Sequence, residues 1–370
     1  MKRVGHIYEK ICTYENISKA IDKAVLGKRK TKECMRIINN KDYYIRQIQN
    51  MLITQTYPMS QNRYKTIVSK TGKERHLIIP KFYPDRIIHW ALCLQLEQLF
   101  MKGMYKHSIG SIPGRGGLMG KKYIERIINK DKKAKYILKL DIKHFYPSVS
   151  HSKLKELFRT KIKDEKTLTL IYRIIDNGEE GLPIGYYTSQ WFSNFYLEKL
   201  DHFIKEQLHI KYYVRYVDDM VLIDTNKRKL RKAKLAIDEF LLTGNYNLEI
   251  KENYQLWKIH TRPLDFLGYR FYKDKTLLRK SIFYGFNRRL RKIKKRGYCT
   301  IARARALASL LGWFKHISSG RDYYVNNIKP IISKRRISTI ISIYDRKVMV
   351  NTSWYIKMEL MPISKGIKAF

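Results

Sequence analysis

Residues 212–223 (YYVRYVDDMVLI) decide the fold of this chain. Two segments rich in aromatic, β-branched and aliphatic residues flank a pair of adjacent aspartates, a pattern that predicts two β-strands joined at Asp218 and Asp219. A two-residue hairpin turn normally carries Gly or Asn, whereas bulky and charged residues stand here. Such a disagreement with turn chemistry is expected where residues serve a function.

A third aspartate, Asp141, ends the apolar segment 136–141 (YILKLD), which predicts another strand. Joining a 3′-hydroxyl to a nucleoside triphosphate requires charge to be stabilised on both the attacking and the leaving oxygen. Two Mg²⁺ ions about 3.5–4 Å apart do this in enzymes. Such ions need two or three carboxylates at the ends of neighbouring strands, because Mg²⁺ keeps water and phosphate among its ligands. The three aspartates are a candidate set, although an Asp-Asp pair taken alone is more often a solvated turn.

The charge of the chain predicts a polyanionic partner. Its 370 residues include 76 Lys and Arg against 32 Asp and Glu, which gives a formal net charge of +44. An excess of this size predicts contact with nucleic acid along much of the surface. The 28 Tyr and 14 Phe residues offer rings that stack on unpaired bases. An anionic membrane is the alternative, but no apolar run approaches 18 residues, so we expect no membrane partner.

The cysteines, the first residues and the absence of repeats predict the cellular compartment and the domain organisation. The four cysteines are far apart and lack zinc-binding spacing, and the first residues lack the apolar stretch of a signal peptide, which together predict a cytoplasmic protein. No repeat or low-complexity linker appears, so we expect subdomains of one compact unit. These are a basic helical extension (1–60), a central region with the strands (61–275) and a basic helical segment (276–370). Residues 281–370 contain 20 Lys and Arg but only three acidic residues, a composition that suits contact with a duplex backbone.

Five motifs, in order over roughly residues 60–275, resemble those of reverse transcriptases. They are residues 73–80 (KERHLIIP, fingers motif), 140–146 (LDIKHFY, first catalytic motif), 181–190 (GLPIGYYTSQ, nucleotide-positioning motif), 216–219 (YVDD) and 266–269 (FLGY, primer grip). The resemblance implies an α+β right-hand polymerase fold with fingers, an antiparallel palm sheet and a helical thumb. It also implies an RNA-directed DNA polymerase that uses two Mg²⁺ ions and deoxynucleoside triphosphates, with template RNA and a primer/cDNA duplex as partners.

The resemblance assigns a role to each matching residue. Asp141 and Asp218 bind both metal ions, Asp219 helps to hold one, and the carbonyl of Ile142 completes a shell. Tyr146 matches the position of a steric gate against ribonucleotides, with a core tyrosine as the alternative. The implied nucleotide-binding residues are Arg75, Lys73, Phe145, Tyr146, Ile184, Gly185, Ser189, Gln190 and Lys251, and the implied primer-grip residues are Leu267, Gly268 and Tyr269.

Two of these assignments leave alternatives open. Arg75 suits bidentate contact with phosphate, and the lysine that assists it is Lys65, Lys70 or Lys73. Lys251 is either a proton donor to departing pyrophosphate or a solvated lysine.

The nucleotide-positioning motif narrows the family. Most reverse transcriptases carry Gln immediately before the second glycine of this motif, where this chain has Ile184 before Gly185. They also end the motif with Ser-Pro, where this chain has Ser189-Gln190. This variant resembles the enzymes of bacterial and phage diversity-generating retroelements, and residues 310–314 (LLGWF) agree with that group. The resemblance implies cDNA that is miscopied at template adenines, mutagenesis of a target gene and an oligomeric accessory variability protein.

Other classes remain open beside this group. They are a retron, abortive-infection or group II intron reverse transcriptase, a metal-dependent nuclease and a non-catalytic RNA-binding protein. A nuclease would not need the five ordered motifs, and an RNA-binding module leaves the three aspartates unexplained.

Overall fold

The computed structural model describes residues 2–29, 31–59, 62–68, 72, 74–178 and 180–348. The chain divides into two units. The first unit comprises Met1–Gly120 and Lys135–Trp257, and the second comprises Lys121–Ala134 and Lys258–Phe370. The division of the sequence at residues 60 and 275 into extension, fingers with palm, and thumb stays a prediction.

The strands form three sheets within the described residues. They are β1 (Arg63–Val68), β2 (Glu74–Ile79), β3 (Tyr136–Asp141), β4 (Tyr212–Tyr216), β5 (Asp219–Asp224), β6 (Gln255–Lys258), β7 (Leu264–Phe266), β8 (Tyr269–Phe271) and β9 (Thr276–Leu278). Strands β1 and β2 form an antiparallel hairpin, and the central sheet has the order β4-β5-β3-β6, with β5 antiparallel to both neighbours. The second unit holds the antiparallel sheet β7-β8-β9. The strands predicted at 136–141 and on both sides of the two aspartates are confirmed.

Helices make up most of the remaining described chain. They are α1 (Tyr8–Ile11), α2 (Tyr14–Ala24), α3 (Lys32–Asn39), α4 (Lys41–Ile53), α5 (Ile87–Gly103), α6 (Gly117–Lys130), α7 (Phe145–Ser148), α8 (His151–Lys161), α9 (Glu165–Asp176), α10 (Tyr187–Tyr196), α11 (Glu198–His202), α12 (Lys227–Thr243), α13 (Lys280–Arg296), α14 (Ile301–Phe314), α15 (Gly320–Tyr323) and α16 (Lys334–Val348). Single π-type turns follow α11 and α15, at Phe203–Gln207 and Tyr324–Ile328. Of the helices in the described ranges, none is both long and apolar enough to cross a membrane.

The core of the first unit lies between the central sheet and a layer of helices. Strand β5 is the second strand of four, and its residues Met220 to Ile223 are all buried. Burial on both faces explains why these residues form a continuous apolar run instead of an alternating one. Helix α5 packs against α2 and α10, and it is apolar on nearly all sides because neighbours cover it.

The second unit has a helical part whose apolar stripes face one another. In α13 the buried residues Phe286, Leu290 and Ile293 recur at helical spacing, while most exposed positions carry Arg or Lys. Helix α14 packs against α13 and α16. The helical and basic character predicted from residue 281 onward is therefore confirmed up to residue 348.

Candidate active site

The two predicted aspartates of residues 216–219 lie in and beside a strained turn. Tyr216 pairs with Asp219, so Val217 and Asp218 are the two central residues of the β4–β5 hairpin. Val217 has a φ of 58°, a backbone conformation that a β-branched residue rarely adopts. Such strain costs roughly 1–3 kcal/mol and persists only where the surroundings enforce it.

The register of the central sheet brings the third aspartate to the same place. Asp141 is the last residue of β3, and it pairs with Asp219, the first residue of β5. Side chains that are directly opposite on antiparallel strands have Cβ atoms about 4.5–5.5 Å apart. The structure therefore brings Asp141, Asp218 and Asp219 together at one end of the central sheet.

Two lysines lie against these carboxylates. The Nζ atom of Lys251 pairs with Oδ1 of Asp141, and Nζ of Lys139 lies 3.4 Å from Oδ2 of Asp219. The backbone N–H of Lys251 also donates to the carbonyl of Asp141, at 2.9 Å. Lys139 was missed by the sequence analysis, although its place two residues before Asp141 puts both side chains on one face of the strand.

Asp219 has an environment that favours a neighbouring cation. Burial raises the pKa of Asp219 to about 6; Lys139 opposes this rise, and the charges of Asp141 and Asp218 add to it. Its Oδ1 atom is buried and accepts no hydrogen bond. A buried carboxylate oxygen without a partner is costly, so a bound cation would stabilise this group.

The oxygen donors fit hard divalent cations such as Mg²⁺. Among the residues that the structure describes, no three His, Cys, Asp or Glu side chains form a metal-binding group by themselves. Mg²⁺ is commonly held by only one or two carboxylates together with substrate phosphates, so a complete protein cage is not required. The unpaired Oδ1 of Asp219 supports this fit, and the role of the Ile142 carbonyl stays a prediction.

Tyr146 lies close to the aspartates and is half-buried in α7. Burial raises the pKa of its hydroxyl, which a hydrogen bond with Ser193 opposes and the charge of Asp218 reinforces. Its ring meets the buried ring of Phe145 edge-on, at 5.5 Å between centroids. The carbonyl of Tyr146 accepts from Leu182 N–H at 2.7 Å, which joins α7 to the nucleotide-positioning motif.

The nucleotide-positioning motif also contacts strand β2. The carbonyl of Ile184, a half-buried residue, accepts from the N–H of Ile78 at 2.9 Å. Gly185 has a φ of 136°, and a Cβ atom there would overlap the carbonyl of Ile78. Ser189 is buried with an unpaired hydroxyl, whereas Gln190 is exposed. Glycine is therefore required at position 185 for the close approach to β2.

The β1–β2 hairpin carries the predicted triphosphate contacts. Arg75 lies on β2 opposite Ile67, and Lys65 lies on β1 opposite Leu77; Arg75 and Lys65 are both exposed. Lys70 and Lys73 lie outside the described residues. Which lysine assists Arg75 stays open.

The predicted primer-grip residues form the β7–β8 turn of the second unit. Leu267 and Gly268 are its central residues, with φ values of 53° and 82°. Tyr269 is buried, and its ring lies 5.1 Å from that of Trp313. A Cβ atom on Gly268 would lie 2.7 Å from the Trp313 ring, so the turn packs closely on α14.

Two arginines make contacts that the sequence did not indicate. Arg115, in the loop before α6, donates from Nη1 to the carbonyls of Tyr105 and Ser108, at 2.6 and 3.1 Å. Arg215 had no assigned role, and it is fully buried in an ion pair with Asp201. Burial opposes the charge of Arg215, but Asp201 raises the pKa of the guanidinium above its ordinary value.

The central part of the chain is similar to known proteins. Residues 67–271 match the sequence profile of reverse transcriptase (RNA-dependent DNA polymerase). The chain is similar to the retron Ec73 reverse transcriptase of Escherichia coli, with 31% identity over 32% of this chain and 40% of that protein. It is also similar to the group II intron-encoded protein LtrA of Lactococcus lactis subsp. cremoris, with 30% identity over 42% of this chain and 27% of that protein.

Among solved structures, apo telomerase from Candida tropicalis aligns with 69% of this chain and 52% of its own, with a TM-score of 0.46 and 16% identity. The chain spans less than half the length of the curated relatives it matches. The profile match covers more than half of the chain and contains all five motifs. The chain therefore belongs to the reverse transcriptase family, and its predicted α+β right-hand polymerase fold is confirmed.

Proposed function

We propose that this chain is an RNA-directed DNA polymerase that copies template RNA into cDNA from a primer. The observation that carries the proposal is the pairing of Asp141 with Asp219, which puts two carboxylates side by side with Asp218 next to them in the turn. Membership in the reverse transcriptase family supports the same activity. In this proposal residues 61–275 hold fingers and palm, residues 276–370 the thumb, and residues 1–60 a basic helical extension.

The site suits a two-metal reaction. When bound, two divalent cations, which we expect to be Mg²⁺, would stabilise charge on the attacking and leaving oxygens, with Asp141, Asp218, Asp219 and the Ile142 carbonyl as their protein ligands. Lys251 lies against Asp141 with its ammonium group partly exposed, so it can donate a proton to departing pyrophosphate.

The remaining residues of the site bind and select the nucleotide. Arg75 is exposed on β2 and suits bidentate contact with the triphosphate. Tyr146 is near Asp218 and is proposed to crowd the 2′ carbon of the sugar, so that ribonucleotides are rejected. Leu267, Gly268 and Tyr269 are proposed to contact the primer.

The direct test is Asp218→Asn, which keeps the shape of the side chain and removes its charge. Primer extension on an RNA template should fall by at least about 10²-fold, because charge stabilisation is usually the largest catalytic contribution. Asp22→Asn, at an exposed carboxylate paired with Lys41, is the matched control and should extend at the wild-type rate. A variant at position 218 that keeps more than about a hundredth of the wild-type rate would contradict the assignment.

Within the family, we infer a diversity-generating retroelement enzyme of bacterial or phage origin, acting in the cytoplasm with an oligomeric accessory protein. The support is the sequence of the nucleotide-positioning motif, in which Ile184 presents only methyl and methylene groups. An amide at this position could hydrogen-bond the nascent pair, and polar contacts discriminate between substrates more strongly than apolar ones. The alternative is a retron or group II intron type of enzyme, which the similarity to the Ec73 and LtrA proteins favours.

Ile184→Gln tests this subfamily proposal. We expect misincorporation opposite template adenine to fall more than opposite G, C or U, and each 1.4 kcal/mol of regained discrimination corresponds to about tenfold in error rate. Sequencing of cDNA made by both proteins on one RNA provides the measurement. High fidelity of the wild type at adenine would reject the subfamily, while equal adenine errors in both proteins would remove Ile184 from the explanation.

A further inference from the structure

The guanidinium of Arg215 is the centre of a buried network beneath the strained turn. Its side chain and that of Asp201 are fully buried. Nε donates to Oδ1 of Asp201 at 2.7 Å, and Nη2 donates to Oδ2 at 2.5 Å, the two-pronged geometry that Arg forms with a carboxylate. This pair leaves the remaining N–H groups free to bind other elements.

Those remaining N–H groups reach the turn and helix α10. Nη1 donates to the carbonyl of Val217 at 2.9 Å and to Oδ1 of Asn194 at 3.2 Å, and Nη2 donates to the carbonyl of Asn194 at 3.5 Å. Arg carries five N–H groups, so all five are used. Lysine, with three donors on a flexible stem, could not reproduce this set.

Asn194, which lies on α10, extends the network to the segment that contains Gly110. Its Nδ2 atom donates to the carbonyl of Gly110 at 2.8 Å and to that of Gln190 at 2.9 Å. Gln190 ends the nucleotide-positioning motif. The Arg215 guanidinium therefore holds the carbonyl of Val217 and, through Asn194, helix α10, in which the last four residues of this motif lie.

We infer that Arg215 is a positioning residue for the Val217–Asp218 turn and thereby for Asp218 and Asp219. The guanidinium is fixed by Asp201 and Asn194, and its bond to the Val217 carbonyl holds that residue at positive φ, which sets the direction of the two aspartates. The inference rests on the proposed polymerase function. A misplacement of about 1 Å at such a site can cost about 10²-fold in rate, so a single lost backbone contact is a sufficient cause.

The test separates positioning from folding. Arg215→Met alone leaves the Asp201 carboxylate buried without a countercharge and is expected to unfold the protein, whereas replacing both members of a buried ion pair with apolar residues is often tolerated. The double variant Arg215→Met/Asp201→Leu should therefore fold and bind an RNA–DNA template–primer as the wild type does. Rapid-quench measurement of the first nucleotide added then gives a burst amplitude, which counts active molecules, and a burst rate.

The expected result is a burst rate at saturating nucleotide at least about tenfold below wild type, with the burst amplitude and the nucleotide concentration for half-maximal rate unchanged. A purely structural role would lower the amplitude and leave the rate of the active molecules unchanged, and that result would overturn the inference. Tyr213→Phe is the matched control: it removes the 2.7 Å hydrogen bond to Asp201 without touching the turn, and it should keep the wild-type burst rate.

If the double variant does not fold, Arg215→Lys tests the same inference. Lysine keeps the charge beside Asp201 but cannot also reach Val217 and Asn194, so a reduced burst rate at unchanged amplitude supports the inference and an unchanged burst rate overturns it. Primer extension by the wild type is measured in the same experiments. A wild type that does not extend the primer would reject the polymerase proposal itself, whereas equal burst rates in an active wild type and the variants would reject only the role of Arg215.

Discussion

Two antiparallel hairpins in the described part of the chain have two-residue turns, and their turn residues reach positive φ in different ways. In the β7–β8 turn both central residues, Leu267 and Gly268, have positive φ, which is the pattern of a type I′ turn with glycine where it is favoured. In the β4–β5 turn, Val217 has positive φ and Asp218 does not. In the β7–β8 turn glycine takes one of the two positions with positive φ, whereas the β4–β5 turn has valine at its one such position and is held in place by its surroundings.

The glycine that the aspartate turn lacks is found in a neighbouring segment. A Cβ atom on Gly110 would lie 2.6 Å from Cγ2 of Val217 and 2.7 Å from its backbone nitrogen. Gly110 therefore leaves room for a valine in an unfavourable conformation, and Arg215 holds the valine carbonyl from the buried side. The β4–β5 turn therefore holds its aspartates at the expense of local stability, as strained sites do.

The largest expected effect is on the stability of the β7–β8 turn. Gly268→Ala combines the cost of positive φ, about 1–2 kcal/mol, with overpacking against Trp313, about 1–3 kcal/mol. Gly297→Ala is the matched control, because Gly297 has a φ of 69° and open space around it. Thermal unfolding should show a larger decrease of the melting temperature for Gly268→Ala, and equal decreases would mean that Trp313 moves aside without cost.

A smaller expected effect concerns the space beside Val217. Gly110→Ala pushes a methyl group against the backbone of the aspartate turn, so the rate of nucleotide addition should fall by about 10-fold to 10²-fold. The loss of stability should be about 1–3 kcal/mol, the usual range for overpacking. Gly117→Ala, at a position with open space, should leave both quantities near their wild-type values. A Gly110→Ala enzyme with the wild-type rate would show that the turn tolerates displacement.

The strands and the aspartates at their ends could be predicted from the sequence, because strand patterns and motifs can be read from residues that are neighbours in the chain. The pairing of Asp141 with Asp219 follows once the two strands are identified and placed in one sheet. The residues that hold the β4–β5 turn in place could not be predicted in the same way. Arg215 interrupts an apolar strand, and only the fold brings Asp201 against it; nothing local marks Gly110 as the neighbour of Val217.

The smallest expected change in stability comes from Val217→Gly. This variant tests whether the strained backbone at residue 217 is needed for the rate of nucleotide addition. Glycine relieves about 1–2 kcal/mol of backbone strain, but it loses roughly 1.5 kcal/mol of buried valine surface and adds chain entropy to the unfolded state. The net change should lie within about 1 kcal/mol of zero. The burst rate should nevertheless fall severalfold, because glycine allows the turn conformations that valine excludes.

Val217→Ala distinguishes confinement of the backbone from packing of the side chain. Alanine loses two methyl groups but keeps the steric restriction of a Cβ atom, so its burst rate should lie nearer to wild type than that of Val217→Gly. If the two variants were equally slow, the valine methyl groups against Gly110 would be the part that positions Asp218. If both kept the wild-type rate, hydrogen bonding of the Val217 carbonyl by Arg215 would be sufficient to hold the turn, because that bond uses only backbone atoms of residue 217 and survives both substitutions.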